Sequence, residues 1–201
     1  MTTVTKRLDQ ISGVSVLRGL PTSRTVSEGD IPVRSIASLR HEERATRFAN
    51  RDDLGRRQEL VVQPGDLLVS IGGPDLGECV VVPDGGDLFI PTQQVAIVRM
   101  GTPREVDPWF LAAWFDSEHG RHQLDGLMRS TVVPRVSIDD MARIRIPVPD
   151  AEVQERLAKR YRAFEESIEA HRVILADTQR LKDVELTLAF AGESTTTTQG
   201  D

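Results

Sequence analysis

The sequence has little of several residue types on which common functional sites depend. It contains one cysteine, Cys79, which excludes a disulfide framework and a zinc site built on cysteines. No run approaches the roughly 18 apolar residues of a membrane span, and the N-terminal segment lacks the apolar core of a signal peptide. Lysine occurs only at Lys6, Lys159 and Lys182. We therefore expect a globular protein of the cytoplasm, without a membrane span or a metal ion.

Motifs of enzymes that act on nucleic acids are also missing from the sequence. There is no Pro-Pro pair, so the Asn/Asp-Pro-Pro-aromatic segment of amino-group adenine methyltransferases is absent. The segment GGPDLGE at 72–78 lacks the G-x-G-x-x-G spacing of a cofactor loop, and there is no Walker loop. Asp66 and Asp84 have no lysine nearby of the kind that Pro-Asp…Asp/Glu-x-Lys nucleases use. We expect a chain that is not an enzyme and binds no cofactor.

Two single features have plain structural interpretations. His119 and His122 are three residues apart, but we expect Gly120 to break the helix that would align them. Two solvated histidines are therefore favoured over a metal site. Cys79 stands between β-forming residues and is expected to be a small buried hydrophobic side chain.

The net charge of −6 is distributed unevenly along the chain. Residues 1–60 hold 11 Lys and Arg against 8 Asp and Glu, residues 61–150 hold 7 against 13, and residues 151–201 hold 7 against 10. The positive charge at the front is almost entirely arginine, which makes bidentate contacts with phosphate and guanine. A GC-rich genome also raises the arginine content, so composition leaves both explanations open.

Short apolar runs divided by Pro/Gly turns dominate the middle of the chain and predict a curled antiparallel sheet or partial barrel. Asp107 and Pro108 predict a helix start, with Asp as N-cap and Pro at the first helical position. The segment after them predicts two short helices divided near Gly120. The last strand of the domain ends at Pro147. The predicted strands are IPVRSI, ELVV, DLLVSI, ECVVV, LFI, QVAIVRM and ARIRIPV.

From about residue 150 to 190 the sequence predicts one helix, because Asp150 is a suitable N-cap and neither Pro nor Gly interrupts the run. About 40 residues at ~1.5 Å each give ~60 Å, more than a small domain can cover. Apolar or large residues recur at heptad-like spacing and predict a seam for another helix, expected outside this chain. Leu157 is the seam residue most expected to pack on the domain instead. The seam residues are Leu157, Tyr161, Phe164, Ile168, Leu175 and Leu181.

The order of these pieces resembles one family. Over roughly residues 30–185 the chain is similar to the DNA-specificity domains of Type I restriction–modification S subunits. Those domains show a Gly-Asp-Leu-Leu strand followed by glycines, here Gly65 to Gly73, then an Asp-Pro-aromatic helix and a serine-rich turn. A final strand ends in a Pro-x-Pro corner, here Pro147 and Pro149, and a Gln, here Gln154, precedes the long helix.

The resemblance implies an α+β fold. A curled antiparallel β-rich target-recognition domain with short helices would occupy 1–148. One long C-terminal coiled-coil-type helix would follow over 149–190 as a spacer and dimerisation arm, and 191–201 would be a disordered tail. The implied partners are double-stranded DNA, an adenine methyltransferase (modification) subunit and a restriction/translocase subunit.

A typical S subunit holds two recognition domains and two long helices, whereas this chain has one of each. It therefore resembles a half subunit, which would pair through its helix with a second copy or with a different half subunit. Two identical copies would read a bipartite palindrome, because protein symmetry mirrors site symmetry. A related defence system built on the same domain is a further alternative.

Candidate DNA contacts come from four segments. The alternative for the arginines is a solvated loop paired with neighbouring carboxylates, and for the glycines a plain turn. The competing function is an adaptor or acidic decoy that binds restriction-complex subunits through its helix without reading DNA. The net charge favours this function and the arginine-rich front opposes it. The candidates are Arg34, Arg40, His41, Arg44, Arg47, Asn50, Arg51, Arg56 and Arg57, then Gly72 and Gly73, then Gln93 and Gln94, and finally Arg129, Ser130 and Arg135.

Overall fold

The computed structural model describes residues 3–40, 44–129 and 134–193. The chain divides into two units, Met1–Lys159 and Arg160–Asp201. The strands are β1 Val4–Arg7, β2 Val14–Arg18, β3 Ile31–Arg34, β4 Phe48–Ala49, β5 Leu67–Ser70, β6 Cys79–Val81, β7 Ile90–Pro91, β8 Val95–Met100 and β9 Arg145–Val148. The helices are α1 Ile36–Arg40, α2 Arg51–Leu54, α3 Pro108–Asp116, α4 Glu118–Gly126, α5 Ile138–Ala142 and α6 Ala151–Glu193. Short 3-10 turns cover Leu8–Gln10, Thr22–Arg24 and Gly55–Leu60.

The centre of the first unit is a four-stranded antiparallel sheet in the order β2-β8-β5-β6. In β5, Leu67, Leu68 and Val69 are completely buried, and β8 is buried almost throughout. Strands covered on both faces carry continuous apolar runs rather than an alternating pattern, which is why these runs were recognisable in the sequence. Cys79 is buried in β6, as expected.

Two smaller sheets complete the first unit. Strand β3 pairs antiparallel with β4 and parallel with β7, so one pair departs from the expected antiparallel order. Strand β1 pairs antiparallel with β9, from Val4 opposite Val148 to Arg7 opposite Arg145. The first strand is thereby joined to the last strand before α6. The predicted α+β fold with short helices and a long C-terminal helix is confirmed.

The Gly-Asp-Leu-Leu segment is explained by folding. Gly65 has φ +81°, a conformation that glycine adopts without strain. Asp66 is 1% exposed and accepts two hydrogen bonds from the guanidinium of Arg99 at 2.9 and 2.7 Å. The two leucines that follow are core residues of β5. The motif therefore builds the sheet.

One predicted strand is wrong. The segment ELVV at 59–62 ends a 3-10 turn at Leu60 and then runs without strand pairing. The guanidinium of Arg99 donates hydrogen bonds to the carbonyls of Glu59 and Val61, at 2.7 and 2.9 Å. A side chain thus satisfies carbonyl groups that a neighbouring strand would otherwise pair, while Leu60 and Val62 still enter the core.

The helix pair α3–α4 begins as predicted but divides elsewhere. The Asp107 carboxylate caps α3 by accepting from the backbone N–H groups of Trp109 and Phe110, at 2.8 and 3.0 Å. The division falls at Ser117, whose hydroxyl accepts from Gly120 N, and not at Gly120. Gly120 lies inside α4, where a Cβ would come within 2.2 Å of the Trp114 carbonyl oxygen. This glycine allows close packing of two helices and does not break either of them.

Helix α6 begins directly after Asp150, whose carbonyl oxygen accepts from Val153 N and Gln154 N. Its first turns belong to the first unit, where Gln154 and Ala158 are buried. Leu157 also lies within the first unit and is 38% exposed, which is compatible both with its seam role and with the alternative of packing on the domain. In the described chain no helix combines the length and apolar character that a membrane crossing needs. The first three residues of the predicted tail, 191–193, continue α6, which corrects the expected boundary. The rest of the tail lies outside the described residues.

Candidate nucleic-acid interface

Three candidate segments that are distant in the sequence meet where β5 ends. Gly72 and Arg135 form an isolated antiparallel bridge. Ile71 N donates to the carbonyl oxygen of Gln94 at 2.8 Å. Gly73 N donates to the carbonyl oxygen of Pro134, the residue before Arg135, at 3.2 Å. Backbone hydrogen bonds therefore hold the glycine pair, the glutamine pair and Arg135 together.

A fourth segment, missed in the sequence, completes this surface. Arg18 is the last residue of β2 and lies opposite Ala96 of β8, two residues after Gln94. It lines a hollow of about 30 Å³ with Gly72, both glutamines and Arg135. Pairing between β2 and β8 brings it there, and nothing in the local sequence around Arg18 announces it. We call this surface the glutamine edge, and it consists of Arg18, Gly72, Gly73, Gln93, Gln94 and Arg135.

The polar groups of the glutamine edge are open to solvent. Arg18, Gln93, Gln94 and Arg135 are exposed, and neither arginine forms an ion pair with another described residue. Gly73 has φ +89°, which supports the interpretation of the glycine pair as a turn. A Cβ at Gly73 would meet Gln94 Oε1 at 3.6 Å, so the turn passes close to the glutamine side chain. The edge presents amide and guanidinium groups around a backbone without side chains.

Further arginines lie next to the glutamine edge. Gln93 Nε2 donates to the hydroxyl of Thr22 at 3.4 Å, in the 3-10 turn that contains exposed Arg24. Arg47 Nη1 donates to the hydroxyl of Thr25 at 3.1 Å, directly after that turn. The edge and the start of the arginine-rich stretch therefore adjoin the same short turn.

The rest of the arginine-rich stretch surrounds α2. Among the described residues none of its exposed arginines forms an ion pair, so the alternative of pairing with Asp52, Asp53 and Glu59 is not found, and Glu42 and Glu43 lie outside those residues. The Asn50 amide is engaged locally, donating to Asp53 Oδ2 at 3.0 Å. Arg34 is half-buried at the end of β3, opposite Pro91. The exposed arginines of this stretch are Arg44, Arg47, Arg51, Arg56 and Arg57.

Comparisons by sequence and by fold both find similarity to proteins of Type I restriction–modification systems. No protein-family model matches the chain. It is 24% identical over 150 residues to the Type I restriction enzyme MjaVIII specificity subunit of Methanocaldococcus jannaschii. Among solved structures it is similar to the Type I restriction–modification S subunit from M. genitalium, with TM-score 0.62 and 16% identity over 90% of this chain. A chain from work on complex assembly and conformational transition of the type I R-M system gives TM-score 0.61 at 17% identity over 91%. The HsdS subunit from Thermoanaerobacter tengcongensis gives 0.57 at 18% over 94%.

The chain has the fold of a Type I specificity subunit. The resemblance inferred from the motifs is thereby confirmed. The match covers 73% of this chain but 35% of the curated relative, and between 43% and 45% of the three solved chains. The chain thus spans less than half the length of the specificity subunits it matches. These relatives agree with the expectation of a chain that is not an enzyme.

Within this specificity-subunit fold, two predicted DNA contacts are already used by the domain. The Arg40 side chain is 19% exposed, and its Nη2 donates to the Cys79 carbonyl oxygen at 3.0 Å. Its Nε lies 3.4 Å from Glu78 Oε2. Arg129 pairs with Asp140, whose carboxylate also accepts from Ser137. These hydrogen bonds, Ser137 first and Arg129 second, lower the pKa of Asp140. Arg40 is therefore bound within the domain and little exposed, whereas Arg129 remains exposed beside the glutamine edge.

Four further residues from the sequence analysis remain, two candidate DNA contacts and the two histidines considered as a metal site. His41 and Ser130 lie outside the described residues. The specificity-subunit fold places His119 and His122 on one helix, α4, which corrects the expectation that Gly120 separates them. In the described ranges no group of three or more His, Cys, Asp or Glu side chains is arranged to hold a metal ion.

Proposed function

We propose that the chain is the DNA-recognition part of a Type I-like restriction–modification complex, or of a related phage-defence complex. In this function it directs a partner adenine methyltransferase, and with it a restriction subunit, to a bipartite site in double-stranded DNA. The observation that carries the proposal is the glutamine edge on a specificity-subunit fold. The relatives' specificity-subunit identity supports the partners by analogy. A cytoplasmic location follows from the same proposal.

The glutamine edge has the chemistry to read bases. A glutamine amide can bond an adenine at N6 and N7, and an arginine can bond a guanine at O6 and N7, each pair contributing about 1–3 kcal/mol of discrimination. Gln94 and Arg135 are the proposed readers, with Gln93 and Arg18 beside them. Gly72 and Gly73 leave the backbone open to close approach by the duplex.

The exposed arginines beyond the edge are proposed phosphate contacts. Such contacts position a protein on the duplex and make affinity dependent on salt, but they carry no sequence information. Arg24 was not among the candidates from the sequence and joins them through its turn. This group consists of Arg24, Arg44, Arg47, Arg51, Arg56 and Arg57.

The helix α6 is proposed to pair with the helix of a second recognition chain, either a second copy or a different half subunit. Phe164, Ile168 and Leu175 are 61%, 45% and 58% exposed, and they line one hollow on the helix. Their spacing of four and seven residues keeps them on one stripe, together with Leu157 and Tyr161. A helix partner would bury this stripe.

Leu181 does not belong to that stripe. It follows Leu175 by six residues of continuous helix, which rotates it by about 120° from the stripe at ~100° per residue. Ile174, Leu181 and Leu188 are 63%, 69% and 68% exposed. They are seven residues apart, which places them together on another face of the helix. The proposed seam therefore keeps the first five predicted residues, Leu157 to Leu175, and leaves out Leu181.

The function is tested by replacing the proposed readers and mapping methylated adenines. Cells would carry the full chain with its neighbouring methyltransferase subunit, and Gln94→Ala or Arg135→Gln would be introduced. We expect the motif to become degenerate at one or two positions. The matched variants Arg56→Gln and Arg57→Gln should leave the motif intact and lower methylation at all sites.

The outcome that would contradict this function is equally specific. If the reader variants leave both motif and methylation level unchanged, the glutamine edge does not read DNA. If, in addition, Phe164→Asp with Ile168→Asp abolishes methylation, the chain acts through its helix as an adaptor.

A further inference from the structure

A second group of cationic side chains lies between α4 and β9, away from the glutamine edge. A hollow of about 380 Å³ is lined there by His122, Arg143 and Arg145, among others. Both arginines are exposed, and neither forms an ion pair with another described residue. We call the hollow with these three residues and Gln123 the α4–β9 groove.

The walls of the groove are fixed by hydrogen bonds that do not involve the arginine side chains. Gln123 Nε2 donates to the carbonyl oxygen of Arg145 at 2.9 Å, and Arg145 N donates to Gln123 Oε1 at 3.1 Å. This reciprocal pair ties α4 to β9. The groove is therefore held open before any ligand binds, and substitution of an arginine side chain leaves the tie in place.

The charge of the groove is positive. Asp140 is the acidic residue among the described lining residues, and its carboxylate is already bound by Arg129 and Ser137. Arg145 also lies directly opposite Arg7 across the β1–β9 pair. Like charges in directly opposed positions destabilise a strand pair. Arg7 is paired with Asp9, whereas Arg145 has no acidic partner among the described residues. Arg143 also interacts electrostatically with Asp140. With two exposed guanidinium groups against one carboxylate, the hollow still carries net positive charge and is suited to an anionic ligand.

The groove is linked to the glutamine edge through one residue. Arg129 N donates to the carbonyl oxygen of Arg135 at 3.2 Å, and the Arg129 guanidinium pairs with Asp140 in the groove wall. A chain of contacts thus leads from Arg135 through Arg129 and Asp140 to the groove that Arg143 and Arg145 line. An extended anion that contacts the edge would find further cationic groups in this groove.

We propose that the α4–β9 groove binds the phosphodiester backbone of the duplex that the glutamine edge reads. The inference rests on the proposed function, to which it adds a second contact surface that the sequence did not indicate. Arg143 and Arg145 neutralise phosphates, and the His122 imidazole offers a hydrogen bond. Because phosphate contacts carry no sequence information, the groove contributes affinity and salt dependence but leaves the motif unchanged.

The test measures salt dependence on the assembled complex of the full chain with its modification subunits. Binding of a duplex containing the mapped motif would be followed by fluorescence anisotropy between roughly 50 and 200 mM salt. Affinity falls with salt, and each phosphate contact contributes about −0.9 to the slope of log K against log salt concentration. Arg143→Gln with Arg145→Gln should therefore make the slope less negative by about 1 to 2. Arg143→Lys with Arg145→Lys should keep the wild-type slope, since the charge remains.

A matched control removes two positive charges elsewhere. Arg180→Gln with Lys182→Gln, on α6, should leave the slope unchanged. A wild-type slope in the groove Gln variant would overturn the inference, and so would failure of that variant to assemble with the modification subunits, which would make the groove a protein-docking surface. If the wild-type complex itself binds DNA without salt dependence or sequence preference, the proposed function fails as well.

Discussion

Asp66 and Arg99 form a two-point ion pair at the end of the two inner strands of the central sheet, with Arg99 Nε 2.9 Å from one carboxylate oxygen and Nη2 2.7 Å from the other. The same carboxylate accepts from Gln63 N at 2.8 Å. The same guanidinium donates hydrogen bonds to the carbonyl oxygens of Glu59 and Val61, in the ELVV segment that forms no strand. This pair thus joins β5 and β8 to the end of the 3-10 turn Gly55–Leu60.

Removal of the carboxylate should therefore destabilise the domain strongly. Asp66→Ala leaves the Arg99 guanidinium, 16% exposed, without its counter-charge, and breaking such a pair costs about 3–5 kcal/mol. Urea unfolding would measure the difference in free energy of unfolding. The exposed Asp87→Ala should change it by less than about 0.5 kcal/mol. Equal effects of the two substitutions would contradict the assigned role of Asp66.

Two glycines of α4 give opposite predictions for the same substitution. Gly120→Ala should destabilise, because the new Cβ would lie 2.2 Å from the Trp114 carbonyl oxygen. Gly126→Ala should stabilise by about 0.5–1 kcal/mol, because nothing lies within 4 Å of its Cβ and alanine favours a helix. Thermal unfolding of both variants would test this. A rise in Tm with Gly120→Ala would refute the close approach of α3 and α4.

Gln154 should behave as a structural residue of the helix start. Its Oε1 accepts from Asp107 N at 2.9 Å, and its Nε2 donates to the carbonyls of Glu105 and Pro149 at 3.3 and 3.0 Å. Gln154→Ala leaves these partly buried backbone groups without partners and should lower the free energy of unfolding by about 1–3 kcal/mol. The neighbouring exposed Glu155→Ala is the control. A loss no larger than that of the control would show that these bonds contribute little.

The Glu105 carboxylate should make stability depend on acid pH. A side-chain bond from Lys6, and then a backbone bond from Ser12 N at 2.7 Å, hold the pKa of Glu105 below its usual value of 4.5. A carboxyl with a lowered folded-state pKa stabilises the fold above its unfolded pKa. That contribution is lost as the pH falls through the folded pKa. Wild type should thus be more stable than Glu105→Gln at pH ~7, and the difference should shrink below pH ~5. Denaturant unfolding across this range would measure it, and a constant difference would argue against the pKa shift.

The sequence predicted those parts of the fold that depend on local residues. Asp107 with Pro108 and the uninterrupted run after Asp150 each specify an element by neighbouring positions alone. ELVV has the composition of a strand, but its carbonyls are bound by Arg99, which is distant in sequence. Glycine at position 120 predicts a break in the helix, but the structure keeps Gly120 inside α4 through a tertiary contact, its close packing against Trp114.

The candidate site shows the same limit. Glutamines and glycines were identified as polar or flexible points between strands, yet only strand pairing brings Arg18 to Gln94 and Arg135 to Gly72. Arg40 could not be separated from its exposed neighbours, because its contact with the Cys79 carbonyl is tertiary. The α4–β9 groove depends on Gln123 reaching across to Arg145, a contact that no local pattern indicates.

The central claim, that this chain determines where a partner methyltransferase acts, is tested most directly by mapping modified adenines in cells with and without it. Long-read sequencing would compare cells that carry the chain and its neighbouring methyltransferase subunit with cells that lack the chain. We predict a split motif that disappears in the control, palindromic if two copies of this chain pair and asymmetric if a different half subunit completes the pair. An identical methylation pattern with and without the chain would contradict the account.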